Sequence, residues 1–395
     1  MGLYETPAFL FDEDVFKERA ELIKEALGDN IPLCFSIKAN PFLLNCLPKV
    51  IDKVEVCSPG ELSICQRLGV KPERIIYSGV MKEDADVERA ISYGVGIITA
   101  ESLLHAEIIE RNAVKSGKKM KLIARLTSGN QFGMDESCLE ELVKNRAKYE
   151  GFELIGVHYY SGTQKKKLKN IEKDLEHLKA FLVRMKETYD YEPQIVEYGP
   201  GLAVNYFNPP YDDTDLVLLN ETKEAMVNFA KEYPLSIEMG RFLASTCGSY
   251  ITKVKDLKEN TGTNYVICDG GIHHLKYYGQ TMAMQIPPIS KYVKLEDGQY
   301  QKAKIEEDDK KWAICGSLCT VADVLVREVA LGELNIDDVL IFERCGAYSI
   351  TEGSALFLSR MLPRVYIGTK EKGYKLVRDF ICSDLINSVE GSNWR

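Results

Sequence analysis

The segment Cys34-Phe-Ser-Ile-Lys38-Ala-Asn-Pro41 is a short apolar run that stops on an amine. Bounded by Pro32 and Pro41, it reads as a parallel strand covered on both faces. An amine held at such a tip in an apolar wall is partly desolvated, which lowers its pKa and makes it a nucleophile toward aldehydes. Other residues could join it. Gly199-Pro-Gly201 offers backbone N–H groups that can approach phosphate oxygens, Arg241 a charge-assisted contact, and Ser161-Gly162 a hydroxyl and another amide. His158 supplies an imidazole and Glu238 a carboxylate.

These residues work together only if the fold gathers them. Strand-like runs at Leu33 to Ile37, Val54 to Cys57, Ile75 to Tyr77, Gly96 to Thr99, Lys121 to Leu126, Leu154 to His158, Gln194 to Tyr198 and Leu235 to Glu238 recur at intervals suited to a strand plus a crossover helix. Between them, Gly60 to Leu68 and Asn170 to Leu182 carry apolar residues at three- and four-residue spacing. That rhythm predicts an α/β fold, a (β/α)₈ TIM barrel, with a doubly wound open sheet as the alternative. After Met239 strand-like runs follow one another with little helix, at Tyr265 to Cys268, Trp312 to Cys315, Val339 to Phe342 and Arg364 to Ile367. These predict a C-terminal antiparallel β domain. The expected division is residues 25–245 as the barrel, with 1–24 and 246–395 forming the β-rich domain. In such a barrel the C-terminal strand ends converge on one face. One mouth would then hold an amine, a phosphate cradle, a histidine and a carboxylate. That set suits pyridoxal 5'-phosphate, whose aldehyde takes a lysine and whose ring nitrogen favours an acidic partner.

Composition narrows the partners. A length of 395 residues fits two domains, and 45% hydrophobic with 28% charged residues is ordinary for a soluble globular protein. A formal charge of -9 disfavours nucleic acid and anionic membrane. Eleven scattered cysteines without CxxC pairs point to a reduced, cytoplasmic protein. No apolar stretch is long enough to span a bilayer, and no signal peptide is apparent. Met1-Gly-Leu-Tyr-Glu-Thr6 fits the loose myristoylation pattern, which is too short to carry weight. His273-His274 has no carboxylate or cysteine at ligand spacing, and adjacent histidines are expected to point different ways, so no metal is predicted. Asp212-Asp-Thr-Asp215 lacks the glycine and terminal glutamate of a calcium loop and reads as a solvated turn.

As a set, Ser36-Ile-Lys38-Ala-Asn40, Cys57-Ser-Pro-Gly-Glu-Leu62, Asn130-Gln-Phe-Gly133, His158-Tyr-Tyr-Ser161-Gly162, Tyr198-Gly-Pro-Gly-Leu202, Glu238-Met-Gly240-Arg241, Asp269-Gly-Gly271, Cys315-Gly-Ser-Leu-Cys319 with Asp323, and Cys345-Gly-Ala-Tyr348 span nearly the whole chain. In order and spacing the chain resembles the fold type III pyridoxal phosphate enzymes, in the group of ornithine and diaminopimelate decarboxylases, whose fold is that of the alanine racemases. The resemblance implies that Lys38 takes the cofactor aldehyde, Glu238 pairs with the ring nitrogen and His158 lies against the ring face. It places the phosphate on Ser161, Gly199, Gly201, Gly240, Arg241 and Tyr348. It makes Cys319 the proton donor, reaching the site from a neighbouring subunit of an obligate homodimer, and puts Thr320 and Tyr278 against the substrate.

Two departures bear on substrate. Family members acting on ornithine or diaminopimelate carry an acidic residue after the donor cysteine; here Thr320 follows Cys319, and a neutral hydroxyl cannot pair with an ammonium. Lys165-Lys-Lys-Leu-Lys169 begins the helix after the sixth strand, where lysines oppose the helix dipole. It reads as a basic exposed turn, or as a dock for an anionic group such as a carboxylated substrate or an acidic acyl carrier protein. The leading reading is an α-amino acid decarboxylase for a small-molecule substrate with a neutral or anionic distal group, free or carrier-bound. The alternatives are a diaminopimelate decarboxylase, a racemase on the same barrel, and a non-catalytic cofactor-binding homologue. Alanine racemases place arginine against the ring nitrogen, so Glu238 speaks against a racemase. The large C-terminal domain with Cys319 and Tyr348 speaks against the non-catalytic homologue.

Overall fold

The computed structural model describes residues 4–389, apart from the side chains of Asp212 and Asp213; Met1 to Leu3 of the acylation pattern lie outside the described residues. The chain divides into two compact units. One comprises Lys17–Val204 and Asp212–Leu243, the other Met1–Phe16, Asn205–Tyr211 and Ala244–Arg395.

After β1 (Ala8–Asp12), which belongs to the second unit, come β2 (Leu33–Ser36), β3 (Lys53–Val56), β4 (Ile75–Tyr77), β5 (Ile97–Ala100), β6 (Met120–Leu126), β7 (Phe152–Tyr160), β8 (Ile195–Gly199) and β9 (Leu235–Met239). Strands β2 to β9 close into a parallel barrel, with β9 pairing back onto β2. Each of the eight runs predicted for the barrel falls on one of these strands. Low in the barrel, Cys34, Ile76, Ile97, Ile123, Ile155 and Ile195 form one buried apolar cluster. Because side chains two residues apart share a strand face, the next positions on these strands put Ser36, Ser78, Thr99, Arg125 and Glu197 on the same inner side. The barrel interior thus changes from apolar to polar toward its C-terminal end.

One strand breaks the two-residue count. The β6/β7 register runs from Leu122↔Leu154 to Ile123↔Gly156, so Ile155 is an extra residue in a β-bulge. The bulge inverts the alternation, which is why His158, three residues beyond Ile155, joins the inner face. Gly156 permits the close passage, since a Cβ there would stand 1.9 Å from the Ile195 carbonyl oxygen.

The second unit continues with β10 (Gly248–Asn260), β11 (Thr263–Cys268), β12 (Ile289–Lys294), β13 (Tyr300–Ala303), β14 (Lys311–Cys315), β15 (Val324–Ala330), β16 (Val339–Phe342), β17 (Arg364–Thr369) and β18 (Gly373–Arg378). They form a sheet in the order β13-β12-β16-β10-β1-β17-β18, with β11, β14 and β15 continuing from β10. The predicted antiparallel domain is in fact mixed: β1 pairs parallel with β17, and β11 with β14. Both pairs join segments far apart in the chain, so no tight hairpin enforces antiparallel pairing. The predicted solvated turn at Asp212 to Asp215 is also corrected. It lies in the helix Tyr211–Ala230, and Asp215 is buried with its carboxylate 3.2 Å from Arg19 Nη2.

Candidate active site

Lys38 follows the end of β2, in the single 3₁₀ turn Ile37–Ala39. Its Nζ donates to Glu55 Oε2 at 2.7 Å, lies 3.4 Å from Cys57 Sγ, and is 3.7 Å from Glu238 Oε1. The amine therefore sits between two carboxylates, and its side chain is 39% exposed, rather than being desolvated in an apolar wall. The two carboxylates come from the neighbours of β2 in the barrel, β3 and β9. The burial expected of Lys38 belongs to Lys82 instead. Its side chain is buried, its Nζ donates to the Gly79 carbonyl at 2.6 Å, and desolvation, partly offset by Glu101, pushes its pKa down to about 8.

Glu238 is the most heavily supported charge in the barrel. Ser36 Oγ donates to its Oε1 at 2.9 Å, and His158 Nε2 lies 3.1 Å from its Oε2. Burial pushes the carboxyl up, but the Lys38 ammonium, the His158 ring and the Ser36 hydroxyl together outweigh it and hold Glu238 well below the usual carboxylate range. His158 is buried, and neither ring nitrogen meets hydrogen-bonding geometry with the protein; the 3.1 Å approach to Glu238 is off the bonding direction.

The loops after β7 and β8 are stitched together. Lys165 N donates to the Gly201 carbonyl at 2.9 Å, and Ala203 N to the Lys165 carbonyl at 3.0 Å. Gly201 has φ +60, and a Cβ there would stand 1.9 Å from the Gly162 carbonyl oxygen; one at Gly199 would stand 2.7 Å from the Tyr160 ring. Only glycine keeps this cradle open. Gly240 and Arg241 follow β9 directly, Arg241 opening the four-residue helix Arg241–Ala244. The Ser161 hydroxyl lies 2.8 Å from both oxygens of buried Asp174, an acceptor that sequence reasoning did not foresee. Lys165 bonds the same Asp174, and the helix after β7 starts at Leu168, so Lys165 is neither the start of the helix nor part of an exposed basic turn.

The remaining predicted residues lie in the second unit. Cys319 and Thr320 sit on the loop between β14 and β15, with Cys319 exposed and the neighbouring Val321 fully so. Asp323 anchors the loop. Its buried carboxylate accepts from Ile272 N at 2.8 Å and Leu318 N at 2.7 Å, and a Cβ at Gly271 or Gly316 would collide with it. That contact explains Gly271 and Gly316, while a Cβ at Gly270 would run into the Tyr250 hydroxyl. Tyr348 holds a positive φ of 65, an uncommon conformation for a bulky residue, while its carbonyl accepts from Thr351 N and Glu352 N. Tyr278 is 43% exposed. His273 and His274 do not diverge: their ring centroids are 3.7 Å apart, and His274 is held by Tyr250 Oη and the Met361 carbonyl.

Glu197 on β8 was missed by sequence reasoning. It pairs in register with His158 on β7 and Ser236 on β9 and is buried. Burial raises its pKa to about 7, with Lys53 offsetting and the Glu238 charge adding to the effect.

The comparisons with known proteins agree with this geometry. Residues 13–245 match the family model of the pyridoxal-binding domain of pyridoxal-dependent decarboxylases. The chain is 28% identical to an L-glutamyl-[BtrI acyl-carrier protein] decarboxylase from Niallia circulans, over 95% of this chain and 91% of that one. It is 24% identical to a 2-[(L-alanin-3-ylcarbamoyl)methyl]-2-hydroxybutanedioate decarboxylase from Staphylococcus aureus, over 92% and 94%. In fold it superposes on the diaminopimelate decarboxylase of M. jannaschii in complex with L-lysine with a TM-score of 0.82, at 24% identity over 96% of this chain and 91% of that one.

Proposed function

Because the chain belongs to the pyridoxal-dependent decarboxylases, we propose that this carboxy-lyase acts on an amino acid with a neutral or anionic distal group, carried as a glutamyl unit on an acyl carrier protein. The residues fit the cofactor. The Gly199 and Gly201 cradle has room for phosphate only because no Cβ fills it, and the buried Nδ1 of His158 has no hydrogen-bond partner among the described residues. When bound, pyridoxal phosphate accepts the electron pair left behind as CO₂ departs.

Each protein group has a task beside it. Lys38 would hold the cofactor through its aldehyde and would give way there to the substrate amine. Glu238, kept anionic by Lys38 and Ser36, holds a proton on the ring nitrogen. His158 backs the ring, and Gly240, Arg241, Ser161 and Tyr348 add to the phosphate site. Cys319, on its exposed loop, returns a proton to the substrate carbon of a second copy in a homodimer with shared sites. Mixing inactive Lys38→Ala and Cys319→Ala chains should then restore roughly a quarter of wild-type activity once subunits exchange. No recovery despite demonstrated exchange would put both groups on one chain.

The substrate reading rests on Thr320, which stands where an acidic partner for a distal ammonium would be. It gains support from two relatives whose named substrates carry no second free amine of the diaminopimelate kind. CO₂ release from a panel of D- and L-amino acids, free and as carrier thioesters, tests it. Efficient turnover of ornithine or meso-diaminopimelate would instead favour the diaminopimelate decarboxylase alternative.

A further inference from the structure

The lysines after β7 divide into two groups. Lys165 turns inward onto Asp174 and is 10% exposed. Lys166, Lys167, Lys169 and Lys173 are exposed, and no side chain among them forms an ion pair or hydrogen bond within the described residues. The helix Leu168–Tyr189 carries no acidic residue in its first turn to neutralise them. Beside them lies a cavity of about 710 Å³ that runs from Asn170 and Lys173 to the Ser161-Gly162 loop.

The carboxylates lining that cavity are already engaged. Asp135 accepts from Cys138 N at 2.8 Å to cap the helix Glu136–Asn145, Glu136 is bonded to Arg184, and Asp174 takes Lys165, Ser161 and Tyr198. Residues 165–173 hold five lysines against the single Glu172, so with Lys165 neutralised the segment keeps an excess of three positive charges. The chain as a whole carries -9. An acidic protein is therefore repelled by the average surface, and productive encounter has to be steered locally.

We propose that Lys166, Lys167 and Lys169 dock an acidic carrier protein that presents the amino acid as a thioester, an inference that rests on the carrier-bound reading above. Asn170 and Lys173, next to the patch in the chain, line the cavity that also takes in Ser161 and Gly162, so a carrier held on the patch would stand beside the loop that follows β7.

The test uses the cofactor-loaded enzyme and three probes: L-glutamate on the BtrI acyl-carrier protein, L-glutamyl-pantetheine thioester, and free L-glutamate. Combined Lys166→Glu, Lys167→Glu and Lys169→Glu substitutions should raise KM for the carrier-bound probe about tenfold or more, and leave kcat and all glutamyl-pantetheine kinetics unchanged. Added salt should erode the wild-type preference for the carrier-bound probe in the same way. If wild type prefers the carrier-bound probe but the variant keeps its KM, or if the variant loses both thioesters equally, the dock is overturned while the carrier reading stands. If wild type turns over only free amino acids, the carrier reading falls and takes the dock with it.

Discussion

Glu238 and Glu197 stand on adjacent strands of one barrel, Glu197 buried and the Glu238 side chain 9% exposed, and their carboxyls are shifted in opposite directions. Around Glu238 the fold has placed a lysine, a hydroxyl and an imidazole, and the carboxyl is driven down despite its burial. Around Glu197 it has placed the charge of Lys53 and the Ser236 hydroxyl to oppose burial, yet burial pushes the carboxyl up to about 7. The difference teaches that depth alone does not set the charge of a buried acid; its partners do. A fixed anion suits a group that must hold a proton on a ring nitrogen throughout turnover. The raised pKa of the carboxyl one strand away opposes a second full negative charge in the same small volume.

Removing the main cation of the pair should have the largest effect. Lys38→Ala should lower turnover by more than about a thousandfold, because it removes the amine that would anchor the cofactor. Borohydride should fix the cofactor on the Lys38 peptide in wild type. Label on Lys82 would overturn the assignment, and Lys82 is a real competitor, since burial depresses its pKa to about 8. Glu238→Gln comes next, with cofactor retained and kcat reduced by about 10²- to 10³-fold. Unchanged turnover would mean that the charge of Glu238 does no work in the reaction.

Glu197→Gln sharpens the comparison from the other side and is read in stability rather than in turnover. The folded-state pKa of Glu197 is raised from 4.5 to about 7, so its contribution is fully present below pH 4.5 and is lost as pH rises through about 7. The shift corresponds to about 3 kcal/mol. Urea unfolding at pH 5 and pH 8 should show wild type losing most of that amount, about 2.5 kcal/mol, more than the Gln variant. Parallel pH profiles for the two proteins would mean that Glu197 is already ionised in the fold.

The barrel was legible because parallel strands covered on both faces are unbroken apolar runs, and their ends name the residues that converge. Lys38, His158 and Glu238 come together as that reading implied. The second unit was harder to read. β10 is buried only along its first half and carries Lys255, Asp256, Lys258 and Glu259 along its second, so its alternation is hidden by charge. The parallel insertion of β1 beside β17 depends on a partner more than three hundred residues away, which no local pattern records. Within the site, Glu55 and Glu197 are single acids inside apolar runs, and Asp174 sits in an amphipathic helix. Nothing in their own segments shows that a lysine or a serine faces them. The bulge at Ile155 was equally invisible, although it decides on which face His158 emerges.

The smallest expected effect applies the same rule, that a buried charge needs its partner, to the substrate. A distal ammonium left without a carboxylate costs on the order of 2–5 kcal/mol, or roughly thirty- to several-thousand-fold in selectivity against diamino acids. Thr320 presents a hydroxyl on the Cys319 loop, where its Oγ1 accepts from Ala322 N at 3.3 Å and its carbonyl from Asp323 N at 3.1 Å. Thr320→Glu leaves that backbone contact in place and adds a carboxylate beside the donor cysteine. It should raise kcat/KM for ornithine or meso-diaminopimelate about tenfold relative to a substrate with an anionic distal group, because only part of the geometry for a distal amine comes with one substitution. Asp215 offers no partner for such an amine, since it is buried against Arg19. If wild type already prefers a diamino acid, or if Thr320→Glu leaves the ratio of kcat/KM values unchanged, Thr320 does not set the distal-group preference.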